Sequence, residues 1–186
     1  MILKITLLVV GAVVILALLA DLNKWVRKTK LNPVPPPETE LQNIILDSSP
    51  RVFRDVNGLF TMNAPAGWDI IAWPESTPYN VTFQSPNGPS LSITATKVEY
   101  NSMVTLRKRV EAIQTNFGLN MNIVQTNWNG REIIQRTTIL HASKVLTLDF
   151  VDNYVGHNIQ ISTPHSLYDR YAPVLLDIAA SYKPLQ

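Results

Sequence analysis

Three hydrophobic patterns succeed one another along the chain. The first is a solid block. Ile5 to Ala20 carries no charge and only one hydroxyl, Thr6, with Lys4 before it and Asp21, Lys24, Arg27, Lys28 and Lys30 after it. About 20 apolar residues suffice to cross a bilayer core as a helix, and residues 2–20 would reach roughly 28 Å at about 1.5 Å each. The block predicts one retained transmembrane helix. A cleaved secretory signal is the alternative, but the best cut, after Ala20, has bulky Leu18 where a small residue is wanted. Trp25 fits an interfacial aromatic anchor. Lys24, Arg27, Lys28 and Lys30 read as a stop-transfer flank or as headgroup contacts. Cations beside a span favour the cytoplasmic side, so the following domain is expected in the cytoplasm, with an extracytoplasmic domain as the alternative.

The second pattern begins at Arg51 and alternates with a period of two. Asn57-Gly58, Asn87-Gly88 and Asn129-Gly130 punctuate it. Asn-Gly is a strong hairpin signal, because both residues tolerate the positive φ of a two-residue type I′ turn. The pairs predict hairpins joining 51–56 to 59–63, 80–85 to 90–98 and 122–128 to 131–140. Residues 67–73 add a strand, and 144–151 with 156–162 form a hairpin around Asp152-Asn153. The third pattern has helical spacing. Leu106, Val110, Ile113 and Phe117 form a stripe over 102–117, stopped by Gly118. Leu167, Tyr171, Val174, Leu175, Ile178 and Tyr182 form another over 166–182, with Ser166 as cap and Pro173 as a local irregularity. Hairpins imply an antiparallel sheet, and each stripe needs a sheet face to cover. The fold class is therefore α+β.

Between block and domain lies Leu31-Asn-Pro-Val-Pro-Pro-Pro37, a stiff extended spacer. Residues 38–47 suit a short helix. The division is an anchor with a basic juxtamembrane segment (1–30), a proline-rich linker (31–49) and a folded domain (50–186).

Charge and composition narrow the functions. The formal net charge of +2 is misleading, because residues 1–30 hold five of the 16 Lys and Arg and one of the 14 acids. The remainder has 11 cations against 13 acids, a net of −2. That leaves no basic patch for nucleic acid. The chain has no cysteine, hence no disulfide or thiolate chemistry. His141, His157 and His165 show no metal-ligand spacing. Asp149, Asp152 and His157 fall near one hairpin, where a surface turn with solvated acids accounts for them. His165-Ser166 reads as a helix start rather than as catalytic. No nucleophile elbow, phosphate loop or dinucleotide fingerprint is present. Asn80-Val81-Thr82 matches a glycosylation sequon inside a strand. Trp68, Trp73 and Tyr79 cluster around one strand and its loop; they read as packing at a sheet edge or as an exposed patch that docks a partner.

The run Leu59-Phe-Thr-Met-Asn-Ala-Pro-Ala-Gly-Trp68 is similar to the opening hairpin of the PsbP/Mog1-like fold. That group includes the PsbP proteins of photosystem II, bacterial DcrB-like domains and Mog1 Ran-binding proteins. Val81–Pro86 with Leu91-Ser92-Ile93 is similar to its next hairpin. Tyr171-Ala172-Pro173 through Tyr182 resembles its closing helix. The resemblance spans roughly residues 50–184. It implies an antiparallel sheet sandwiched by helices, and a non-enzymatic accessory, assembly or binding role with no cofactor. It carries over no Ran-binding surface and no metal or ligand residue. The expected partners are the lipid bilayer and other subunits of a membrane complex. A DcrB-like chaperone or ligand-binding domain for hydrophobic segments or small molecules is the alternative. A concave apolar groove would favour the alternative, and a flat polar sheet face the subunit.

Overall fold

The computed structural model describes residues 34–72 and 78–185. The alternating pattern forms ten strands: β1 Val52–Arg54, β2 Phe60–Asn63, β3 Asp69–Ala72, β4 Val81–Gln84, β5 Ser90–Lys97, β6 Met121–Trp128, β7 Arg131–Leu140, β8 Ser143–Asp152, β9 Val155–Pro164 and β10 Lys183–Pro184. The helices are α1 Pro37–Ile45, α2 Met103–Phe117 and α3 Tyr168–Ala179, the last entered through a 3₁₀ turn, His165–Leu167. Seven strands form one sheet in the order β3-β4-β5-β9-β8-β7-β6, and β1-β2-β10 form a second. Every pairing is antiparallel. The expected α+β class, with helices on both faces of an antiparallel sheet, is what the chain builds. The transmembrane helix expected at 2–20, and Lys24, Trp25, Arg27, Lys28 and Lys30, lie outside the described residues. Among the described residues no helix is long and apolar enough to cross a membrane.

Side chains alternate between sheet faces, which separates two apolar layers. Val81, Phe83, Leu91, Ile93, Ile133, Leu146, Leu148, Phe150, Ile159 and Ile161 face one side. There they meet Leu41 and Ile44 of α1, Tyr171, Leu175 and Ala179 of α3, and Phe60 and Met62 of the small sheet. Ile134 faces the other side and packs with Leu106 and Val110 of α2. Residues 37–45, expected within the linker, thus contribute two side chains to the core. Only the first half of the α2 stripe is covered. Leu106 and Val110 are buried, whereas Ile113 is 39% and Phe117 73% exposed. Expected burial thus fails for both. Leu175 is buried as expected, and Ile178 only partly.

The turns depart from the two-residue expectation in an informative way. Gly58, Gly88 and Gly130 all have positive φ. Yet only Asn129-Gly130 forms a two-residue loop, closing the Trp128↔Arg131 pair with φ of 51° and 75°. In the first hairpin Asp55 widens the loop: its carboxylate accepts from the Leu59 amide (3.1 Å), and its carbonyl accepts from Gly58. In the second, Ser85 pairs with Pro89 and leaves three residues between them. The fourth hairpin turns one residue later than expected, on Asn153-Tyr154. Gly118 stops α2 at φ 60°, with the Leu119 amide reaching back to the Gln114 carbonyl. Ser166 does not cap α3; the 3₁₀ turn tightens that entry, and no side-chain cap bond forms. The chain leaves α3 at Ala179 rather than 182, because Lys183 and Pro184 pair with Thr61 and Phe60.

Candidate functional site

The ionisable groups singled out by the sequence do not converge. Asp149 pairs across the ladder with Asn158, and Phe150 with His157. Asp149 and His157 therefore project from opposite faces of the sheet. His157 lies in the main core, stacked on Phe150 at 4.6 Å, with Nδ1 2.6 Å from the Tyr182 hydroxyl. Its Nε2 is buried without a partner among the described residues. Burial and the nearby Arg131 push its pKa down to about 4. Burial likewise drives the Tyr182 phenol far up. A neutral imidazole against a neutral phenol is a packed polar pair. His141 and His165 are exposed.

Asp149 is not a solvated turn acid. It is buried on the α2 side and accepts from Arg136 Nε at 2.6 Å, from Arg136 Nη2 at 3.0 Å and from Asn158 Nδ2 at 2.6 Å. A bidentate guanidinium offsets the cost of burying this carboxylate. Arg109 and Tyr100 border the same groove under α2, the guanidinium 4.6 Å from the ring centre. A second internal carboxylate, Glu40 of α1, accepts from the Tyr171 hydroxyl at 3.0 Å and from the Asn87 amide. Its other oxygen has no partner among the described residues. Sequence reading missed Arg136 and Glu40. The available signal was Asp149 inside the apolar run Leu146–Val151, since a charge at such a position needs a counter-charge.

Trp68 and Tyr79 do not form an exposed patch. Trp68 is 3% exposed and belongs to the core. The Pro65 carbonyl holds its amide at 3.3 Å in the tight turn that Gly67 permits at φ 76°. Tyr79 is half-buried and accepts from Gln160 Nε2 at 3.0 Å. Trp73 lies outside the described residues. Asn80 is committed internally: its amide donates to Asp55 at 3.2 Å and its carbonyl accepts from the Ala95 amide at 2.9 Å. The sequon is thus part of the fold.

Two surfaces could receive a partner. One is a cleft of about 260 Å³ between the C-terminal end of α1, α3 and the Ala64-Pro65-Ala66 turn, walled by Ile44, Ile45, Val174 and Ile178 with Asp47 and Asp177 at its rim. A second hollow, reaching Arg51 and Trp68, shares Asp47 and that turn with it. The other is the C-terminal half of the inward stripe of α2, which continues from buried Leu106 and Val110 and leaves Ile113 39% and Phe117 73% exposed, whereas Val104, 65% exposed, lies on the opposite side of the helix. The sheet face beside α2 is polar: Thr82 and Ser92 hydroxyls share a hydrogen bond of 2.9 Å, and Asn158 and Gln160 are half-buried there. Among the described residues no three His, Asp or Glu side chains are grouped to hold a metal.

No family model matches the chain, and no curated protein matches it. Solved structures do. The solution structure of cyanobacterial PsbP (CyanoP) from Synechocystis sp. PCC 6803 superposes with a TM-score of 0.54 at 13% identity, covering 73% of this chain and 92% of that one. A Bacteroides thetaiotaomicron VPI-5482 crystal structure gives 0.53 at 12% identity over 74% of this chain, which spans about half of that protein, 49%. The Ran-binding protein Mog1p of Saccharomyces cerevisiae gives 0.49 at 8% identity, covering 73% and 95%. At such identities the likeness is one of fold: over 73% of its length the chain has a PsbP-like fold.

Proposed function

We propose that this chain is a membrane-anchored, non-enzymatic accessory or assembly subunit of a larger membrane protein complex. One observation carries the reading. The buried acids Asp149 and Glu40 and the buried His157 are engaged inside the fold, whereas large apolar side chains on α2 are presented to solvent. Exposed apolar clusters of this kind mark protein contacts. The uncharged block Ile5–Ala20 and the proline spacer support tethering at a bilayer. The PsbP-like fold is compatible with a binding role and does not dictate one. The cations 24–30 favour a cytoplasmic domain. A reporter that fluoresces only in the cytoplasm, fused after Gln186, tests the side: an expressed but dark fusion places the domain outside.

Gently solubilised native membranes test the subunit reading. The chain is expected to co-purify with other membrane proteins, and Ile113→Ser with Phe117→Ser is expected to reduce that yield about tenfold, a change of about 1.4 kcal/mol. A species containing only copies of this chain refutes it. The apolar cleft beside Ile44, Ile45, Val174 and Ile178 supports a second reading, a domain that receives a hydrophobic segment or small molecule. Protection of that cleft, with α2 unprotected, in cross-linking on intact membranes would favour the second reading over the first.

A further inference from the structure

The four sheet edges of the described fold are unlike one another. β1 has three residues, Val52-Phe53-Arg54, following Arg51, β10 is Lys183-Pro184, and β3 has four residues beginning at Asp69. Short length, charge and proline are the devices that keep sheet edges from pairing. β6 has none of them. Its eight residues, Met-Asn-Ile-Val-Gln-Thr-Asn-Trp, include no charge, proline or glycine, and its register with β7 runs unbroken from Met121↔Thr138 to Trp128↔Arg131.

The register fixes which backbone groups point outward. The pair closing a two-residue loop is hydrogen-bonded, so Trp128, Thr126, Val124 and Asn122 bond to β7. Asn127, Gln125, Ile123 and Met121 then turn their N–H and C=O groups away from the sheet. The main-chain groups of Ile123, Gln125 and Asn127 have no partner among the described residues. Val124, between them, is 45% exposed.

We propose that β6 pairs antiparallel with β6 of a second copy of this chain, with Val124 on the two-fold axis. Antiparallel pairing of an edge with itself is self-complementary. With this centre Ile123 meets the partner's Gln125, and Met121 meets the partner's Asn127, giving about six main-chain hydrogen bonds, since the Met121 carbonyl already accepts from Gln114 Nε2 at 3.2 Å in each copy. Val124 meets its own copy at a non-hydrogen-bonded position, where side chains come closest. No like charges meet along the seam, because the strand has no charges. The two seven-stranded sheets become one continuous sheet. A seam one strand long buries less than the roughly 1,600 Å² of a standard stable complex, so the association is weak in solution and concentration-dependent. The inference rests on the β6 edge and is independent of the α2 surface.

Full-length protein in detergent, followed by sedimentation from about 1 to 300 µM, reads the equilibrium. The wild type is expected to dimerise; a monomer throughout overturns the proposal. Val124→Lys and Val124→Glu each place like charges on the axis and are expected to weaken the dimer about tenfold. An equal mixture of the two is expected to restore it. Dimers that persist in both variants place the contact elsewhere and overturn the proposal. Circular dichroism checks that both variants fold. Because the chain has no cysteine, Val124→Cys supplies a fold-neutral second arm. It is expected to form a disulfide-linked dimer under mild oxidation, while Thr126→Cys alone is not. Equal cross-linking of the two overturns the assigned register.

Discussion

His157 makes the interior pH-sensitive over a defined window. It is 3% exposed, and its pKa falls from 6.5 to about 4 on folding. At about 1.36 kcal/mol per unit, that difference corresponds to about 3 kcal/mol. Above pH 6.5 the imidazole is neutral in both states, and the contribution is fully present. As pH falls from 6.5 toward 4, the unfolded chain takes up a proton that the folded chain refuses, so stability declines. Below the folded pKa both states are protonated and the loss is complete. By about pH 4.5, about 2.5 kcal/mol is gone. Urea unfolding at about pH 7.5 and 4.5 isolates this contribution when the wild type is compared with His157→Phe, which keeps the ring against Phe150. The variant should be less stable at the higher pH by about 1–3 kcal/mol, because the Tyr182 hydroxyl loses its partner. Its loss between the two pH values should be smaller than that of the wild type by about 2.5 kcal/mol. Equal losses in the two proteins would refute the burial argument.

Gly130→Val should cost about 1–2 kcal/mol in chemical denaturation, since the site is sterically open and the strain lies in a β-branched residue at φ 75°; an unchanged midpoint would contradict this. Arg136→Met leaves Asp149 buried without its counter-charge, held by Asn158 alone, and should cost about 3 kcal/mol, while adding Asp149→Leu should recover part of it in a double-mutant cycle. Glu40→Ala removes the acceptor of the buried Tyr171 hydroxyl, leaving it Asn87 as its side-chain partner, and should cost about 1–3 kcal/mol. That loss should appear as faster amide exchange in α1 than in the β8–β9 ladder.

The hairpins were legible because their information is local. Arg131–Leu140 matched to the residue, and Gly118 ended α2 where its φ demands glycine or asparagine. What escaped was non-local. Lys183-Pro184 has no periodicity to read and becomes a strand only because Phe60 and Thr61 lie beside it. The carboxylate of Asp55 decides that Asn57-Gly58 is a wide loop, and no turn statistic contains that contact. Phe117, expected in the core, is exposed, and of the two readings open for Trp68 the packed one is realised. The Pro-x-Gly-Trp turn folds Trp68 into the core, while the end of α2 extends beyond the layer that buries its first half. Candidate chemistry around Asp149 and His157 was legible as proximity in sequence, but strand alternation sends the two to opposite faces.

The order of strands also dictates how the chain can assemble. β6 to β9 form a run of three hairpins whose contacts close over short loops. β4 and β5 form another. The two runs meet where Ser90 pairs with Ser162 and Lys97 with Val155, partners 72 and 58 residues apart in sequence. Closing so long a loop costs chain entropy before any contact rewards it. The β5–β9 seam is therefore expected to close after the hairpin runs on either side of it. Until that seam closes, β5 and β9 are both open edges, and the vulnerable species during synthesis is the half-assembled sheet rather than the unfolded chain.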